Sequence, residues 1–111
     1  MKELATKIVE FITKHEICDL QLKPILKAYE NEDYETVLAT ARGSLDWLWD
    51  EGFEITDELL NGRAIRWNEN EQIRWERHYK DGDFDGLGRG WNKDGKLWWE
   101  RYYINGVLTK L

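Results

Sequence analysis

Apolar residues recur at three- and four-residue spacing through the first half of the chain and alternate with polar residues through the second. Within residues 2–17, Leu4, Ala5, Ile8, Val9, Phe11 and Ile12 fall on one broad stripe, which predicts an amphipathic helix that must pack against something. Asp19 is placed to cap the next segment. Pro24 belongs in the first turn of a helix carrying Ile25, Leu26 and Tyr29, because deeper in a helix its ring would meet a preceding carbonyl. Asn31 to Asp33 breaks and restarts the chain. A third helix is expected around Val37, Leu38 and Ala41, with Gly43 as its left-handed terminator. A fourth, capped by Ser44, should hold Leu45, Trp47, Leu48 and Trp49 and stop at Gly52.

From Gly62 the period shortens to two. Ile73, Trp75, Arg77 and Tyr79 should point to one face of a strand, and Arg74, Glu76, His78 and Lys80 to the other, so that one face is buried and one wet. Turn candidates at Asn68–Glu71, Asp81-Gly82, Asp85-Gly86, Lys93–Gly95 and Asn105-Gly106 use residues that tolerate positive φ. An offset of 24 residues sets Trp67 over Trp91, Asn68 over Asn92, Trp75 over Trp99, Glu76 over Glu100, Arg77 over Arg101, Tyr79 over Tyr103 and Gly82 over Gly106. Such self-similarity marks a tandem unit. The expected architecture is α+β: a short-helix bundle over residues 1–61 packed on an antiparallel β-meander of two tandem repeats over residues 62–111, sharing one core. In the second copy the wet-face positions become Trp98, Glu100, Tyr102 and Ile104. These are too apolar for open water, so the N-terminal helices or a partner should cover that end.

Size and charge narrow the picture. At 111 residues the chain is one domain or two small halves with a shared core, and seven Trp, five Tyr and three Phe would supply much of its interior. The lone cysteine, Cys18, has no internal disulfide partner, and the N-terminal apolar stretch is too short for a signal peptide or a membrane span. A cytoplasmic protein with no membrane contact is expected. Residues 1–61 hold six Lys or Arg against fourteen Asp or Glu, whereas residues 62–111 hold ten against eight. Between Gly43 and Gly62 stand Asp46, Asp50, Glu51, Glu54, Asp57 and Glu58 with no basic residue among them. A charge-rich face is most often solvated surface.

Several segments match part of a known chemical motif. Asp81, Asp83, Asp85 and Gly86 match the start of an EF-hand calcium loop, but Asn92 stands where the bidentate Glu belongs, and strands flank the segment. An ordinary turn is the better expectation. His15 and Cys18 could form a thiol–imidazole couple at one helix end, yet a cysteine beside Ile17 and Leu20 reads first as a small buried hydrophobe. Zinc lacks ligands here, and no glycine-rich loop opens a helix in the phosphate-binding manner. Arg74, Arg77, Lys80, Arg89, Lys93, Lys96 and Arg101 interleave with tryptophans as in single-strand nucleic-acid binders. The near balance of charge in that half argues instead for Arg–Glu and Arg–Trp pairs on a sheet surface. No catalytic residue, metal site or cofactor is expected.

The segments Tyr79–Gly88 and Asp94–Gly106, with their Tyr-x-x-Gly and Asn-Gly or Asp-Gly turns between short aromatic strands, resemble the bacterial variant of the MORN repeat. The resemblance covers about the last fifty residues. It departs from the pattern in having two full copies only, and Glu71 where the second copy has Gly95. It implies a scaffold that contacts proteins or lipids rather than a catalyst, and members are often described as antitoxin components of toxin–antitoxin systems. The expectation is therefore a non-enzymatic protein–protein interaction module, antitoxin-like or an inhibitor, whose partner is a toxin or a nuclease-type target. Trp47, Trp49, Trp98 and Tyr102 are its candidate aromatic contacts, since such residue types dominate interface hot spots. The alternative is an acidic mimic of nucleic acid, such as a phage-type inhibitor of a host defence nuclease, using Asp46, Asp50, Glu51, Glu54, Asp57 and Glu58 in place of phosphates.

Overall fold

The computed structural model describes residues 1–15 and 23–109, so Asp19 and Cys18, with the roles expected of them, lie outside the described residues. Helix α1 (Lys2–Lys14) turns its stripe inward and buries Leu4, Ala5, Ile8 and Ile12. It ends before the expected Ile17 because His15 closes it: the imidazole Nδ1 lies 2.8 Å from the Phe11 carbonyl, and the ring packs on Phe11 with centroids 4.1 Å apart. Helix α2 (Lys23–Glu30) carries Pro24 in its first turn and buries Ile25 and Ala28. Helix α3 (Tyr34–Arg42) is capped by Asp33, whose carboxylate accepts from the Thr36 N–H at 3.2 Å and the Thr36 hydroxyl at 2.6 Å. Helix α4 (Leu45–Asp50) starts at Ser44, although the serine side chain makes no capping bond. It closes on Gly52 at φ +90, where the Gly52 and Phe53 N–H groups return to the Trp49 and Leu48 carbonyls in a Schellman arrangement.

Gly43 ends α3, but not as a left-handed residue, for its φ is −69. Its missing side chain serves packing instead. A Cβ at this position would collide with the Ile65 carbonyl oxygen on the neighbouring strand. The interior formed by these helices contains Ile8, Ile25, Val37, Leu38, Leu48 and Leu59, all fully buried, with Phe11, Trp47 and Phe53 packed partly against them.

Strands β1 (Gly62–Trp67), β2 (Ile73–Lys80), β3 (Asp83–Phe84), β4 (Gly86–Trp91), β5 (Leu97–Ile104) and β6 (Val107–Thr109) form one antiparallel sheet in the order β1-β2-β4-β5-β6, with β3 prolonging the pairing on β2. The 24-residue offset extends to the backbone. Gly62 faces Tyr79 and Gly86 faces Tyr103, and a register slip before Trp67 recurs before Trp91. The Asn68 and Asn92 N–H groups donate to the Gln72 and Lys96 carbonyls, and those of Gly82 and Gly106 to Leu60 and Phe84. Asn61 Oδ1 receives the Asp81 N–H as Asp85 Oδ1 receives that of Asn105. Glu71 adopts φ +65 where Gly95 adopts +82, so the substituted position keeps the geometry of the repeat.

Helix α3 packs along β1 and closes that edge of the sheet. Arg42, only 6% exposed, donates from Nη1 to the Arg63 carbonyl at 3.1 Å and from Nη2 to the Glu58 carbonyl at 2.8 Å, so a strand-edge acceptor is satisfied from outside the sheet. Burial lowers the Arg42 guanidinium below the usual arginine value, and Glu35 and Glu58 oppose that shift. The helices do not reach the far end. β2 and β4 lie between β1 and β5, and Leu97, Trp98, Tyr102 and Ile104 remain exposed, so of the two covers expected for this end, helices or a partner, the helices are not one.

Candidate functional site

Alternation along β2 and β5 divides the sheet into two unlike faces. On the first, Trp75, Arg77, Tyr79, Trp99, Arg101 and Tyr103 form a layer of rings and guanidinium groups that packs on itself. Arg77 lies 4.7 Å from the Trp75 ring, 4.6 Å from Phe84 and 5.0 Å from Trp99, while Arg101 lies 4.9 Å from Trp99. Phe84 bridges Tyr79 and Tyr103 at 4.9 and 5.4 Å. Beneath this layer Gly90 has no room for a Cβ, because the Trp99 indole lies across its backbone. The stacking uses the charge of both arginines within the protein. Burial lowers the Arg77 guanidinium, against Tyr103, and raises the Tyr79 phenol, with Asp46 adding to the rise and Arg77 opposing it.

On the second face, ion pairs join α3 to β1, β1 to β2 and β4 to β5. Arg63 meets Glu76 at 2.9 Å and Glu35 at 3.2 Å, and Arg89 meets Glu100 at 2.8 Å. On either side of Glu100 along β5 the character changes. Trp98, Tyr102, Ile104 and Val107 share this face of β5 and β6, and Trp98 is 74% exposed. At the end carrying the 68–71 and 92–95 turns, Trp67, Arg74, Trp91 and Trp98 belong to four adjacent strands and line a groove of about 660 Å³ whose rim includes Lys93 and Asn92. Trp67 is held from behind, its indole N–H donating to the Thr40 hydroxyl at 3.1 Å.

The expected contact residues fall in two places. Trp47 and Trp49 belong to α4, beside α3; Trp98 and Tyr102 lie on β5, across the sheet. Trp47 is half-buried against the helical interior, whereas Trp49 is 68% exposed. The carboxylates of Asp46, Asp50, Glu51, Glu54, Asp57 and Glu58 are all exposed on α4 and the segment after it. Glu58 pairs with the Met1 amino group at 3.3 Å; the other five form no ion pair among the described residues. Trp67 and Trp91 both line the groove, and at each the register slip skips a residue of the partner strand, Arg74 and Trp98, which lines it too. The repeated Trp-Asn step was the available signal, since an identical tryptophan beside a turn recurs at a strand end.

Asp85, the third carboxylate of the calcium-like segment, is occupied by the Asn105 N–H at 3.1 Å. Among the described residues no three His, Cys, Asp or Glu side chains group so as to hold a metal ion, and no helix is long and apolar enough to cross a membrane. His78 Nδ1 lies 3.4 Å from the Leu87 carbonyl on β4, far along the chain from His15 on α1. Comparison with protein-family models, with curated proteins and with solved structures finds no match to this chain.

Proposed function

We infer that this chain is a non-enzymatic recognition module that binds another protein through β5 and β6, in the manner of an antitoxin-like or inhibitor subunit. The observation that carries this reading is the apolar surface at the open end of the sheet: Trp98, Tyr102, Ile104 and Val107 are 41–74% exposed on one face of two neighbouring strands. Single exposed hydrophobes are ordinary, but a contiguous set marks a contact surface. The 24-residue recurrence of turns, register slips and hydrogen bonds supports the resemblance to the MORN-repeat variant, whose members contact other molecules without catalysis. The test is affinity capture from the source cells with the wild-type chain and with a Trp98→Ala, Tyr102→Ala pair. A partner retained by the first and lost by the second, with an unchanged melting temperature, supports the reading; equal retention by both sinks it.

A second reading keeps the acidic surface as the contact. Five exposed carboxylates without ion pairs among the described residues, on a short helix and the loop after it, can imitate a run of phosphates toward a basic cleft. Charge reversal at Asp50, Glu54 and Asp57 separates the two. Loss of partner binding with the fold intact, together with steep weakening of wild-type binding by salt, selects mimicry.

A further inference from the structure

We propose that the groove of Trp67, Arg74, Trp91 and Trp98 is a docking site for a proline-rich segment in the polyproline II conformation, which rests on the protein-recognition reading above and names the chemistry of the partner. Three observations carry it. The first is spacing. Trp67 on β1 and Trp91 on β4 flank β2, so they stand two strand spacings apart, about 9.6 Å, and both line the groove. A polyproline II helix repeats its face every third residue, about 9.3 Å. Prolines at i and i+3 of a segment running across the strands therefore reach one indole each.

The second observation is the balance of donors and acceptors. Asn92 turns its Oδ1 back to the Asp94 and Lys96 N–H groups at 2.9 and 3.0 Å, and its amide Nδ2 makes no hydrogen bond among the described residues. Asn70 is spent internally, its Oδ1 receiving the Gln72 N–H at 3.1 Å and its Nδ2 donating to Gln72 Oε1 and to the Lys93 carbonyl, both at 3.3 Å. Arg74, Lys93 and the Trp98 indole offer donors only. The groove thus presents N–H groups and ring faces, with Glu69 as its one carboxylate. A run of prolines is the matching ligand, since it carries carbonyl acceptors and apolar rings and has no backbone N–H to satisfy. The third observation is shape. The site is open to solvent rather than enclosed, and a preformed extended helix binds such a surface without a large ordering cost. Single-stranded nucleic acid would offer rings and acceptors too, but the chain carries a net charge of −6, with two cations against one acid along the groove.

The experiment titrates the full ¹⁵N-labelled chain with a blocked decaproline peptide, a Gly-Ser peptide of the same length and a ten-nucleotide single strand of thymidine, reading the indole N–H resonances. The expected result is saturable shifts of the Trp67, Trp91 and Trp98 indoles with decaproline alone, weakened at least tenfold by Trp98→Ala and severalfold by Arg74→Ala, with both variants melting as wild type does. No saturable shift at millimolar decaproline overturns the proposal, as does tighter binding of the oligonucleotide or decaproline binding that Trp98→Ala leaves unchanged. If decaproline fails while cellular partner capture still depends on Trp98 and Tyr102, this proposal falls and the protein-recognition reading stands. If decaproline binds as expected but capture ignores both residues, the groove stands and the broader reading falls.

Discussion

Gly43 and Glu71 show how one residue's backbone is set by two different demands. Gly43 lies in ordinary helical φ, so conformational freedom does not explain it; the Ile65 carbonyl fills the space where a side chain would go. A backbone carbonyl cannot swing aside as a flexible side chain can. Gly43→Ala should therefore cost about 1–3 kcal/mol through forced separation of α3 from β1, measured as a lowered urea midpoint. Glu71 is the opposite case, a residue with a side chain held at φ +65 where its repeat counterpart is Gly95. Relief of that left-handed strain makes Glu71→Gly stabilising, by up to about 1 kcal/mol. Gly95→Glu should destabilise by a similar amount, and thermal unfolding of the two variants checks both signs. Neither residue's role is visible in composition, since a glycine after a helix and a glutamate in a turn are each commonplace.

At the scale of elements, local signals were legible wherever a segment contains its own reasons. The α1 stripe, Pro24 in the first turn of α2, the Asp33 start of α3 and the Gly52 stop of α4 all follow from neighbours within four residues in the chain. Asp33→Ala should remove the two bonds to Thr36 and cost about 1 kcal/mol, read as a drop in melting temperature with the helical signal of the remaining structure unchanged. The hairpins were legible for the same reason, as Asp81-Gly82 and Asn105-Gly106 supply positive φ locally. The register slips before Trp67 and Trp91 were not. A bulge depends on two strands accommodating each other, and strand alternation read from one sequence assumes an even register throughout.

The whole molecule joins a helical interior to a sheet that is closed at one edge and open at the other. Arg42 and Gly43 place α3 against β1, and Asp46 on α4 lies near enough to Tyr79 to act on its phenol. Because burial and Asp46 raise the folded Tyr79 phenol above its unfolded value of about 10, the unfolded chain releases that proton first. Stability from this group is present below pH 10 and declines as pH rises through the folded value. Tyr79→Phe should leave stability at pH 7 nearly unchanged, since Tyr79 has no hydrogen bond through its hydroxyl among the described residues. It should flatten the alkaline decline, which urea melts between pH 9 and about 11 would follow.

Sequence by itself determined the division at Gly62, the helical and strand periods on either side of it, the 24-residue unit and the asymmetry of charge, because each is a property of near neighbours or of composition. Tertiary structure alone decided which apolar side chains stay in water. Trp47 and Trp98 look alike in the chain; one packs against a core supplied by three other helices, and the other stands three strands beyond β1, the edge that α3 closes. The same holds for the arginines, where Arg77 is taken up by Phe84 and Trp99 from other strands while Arg74 faces the groove. Exposure is a relation among residues far apart in sequence, fixed by sheet order and by how far a helix reaches, and neither is written in the local pattern.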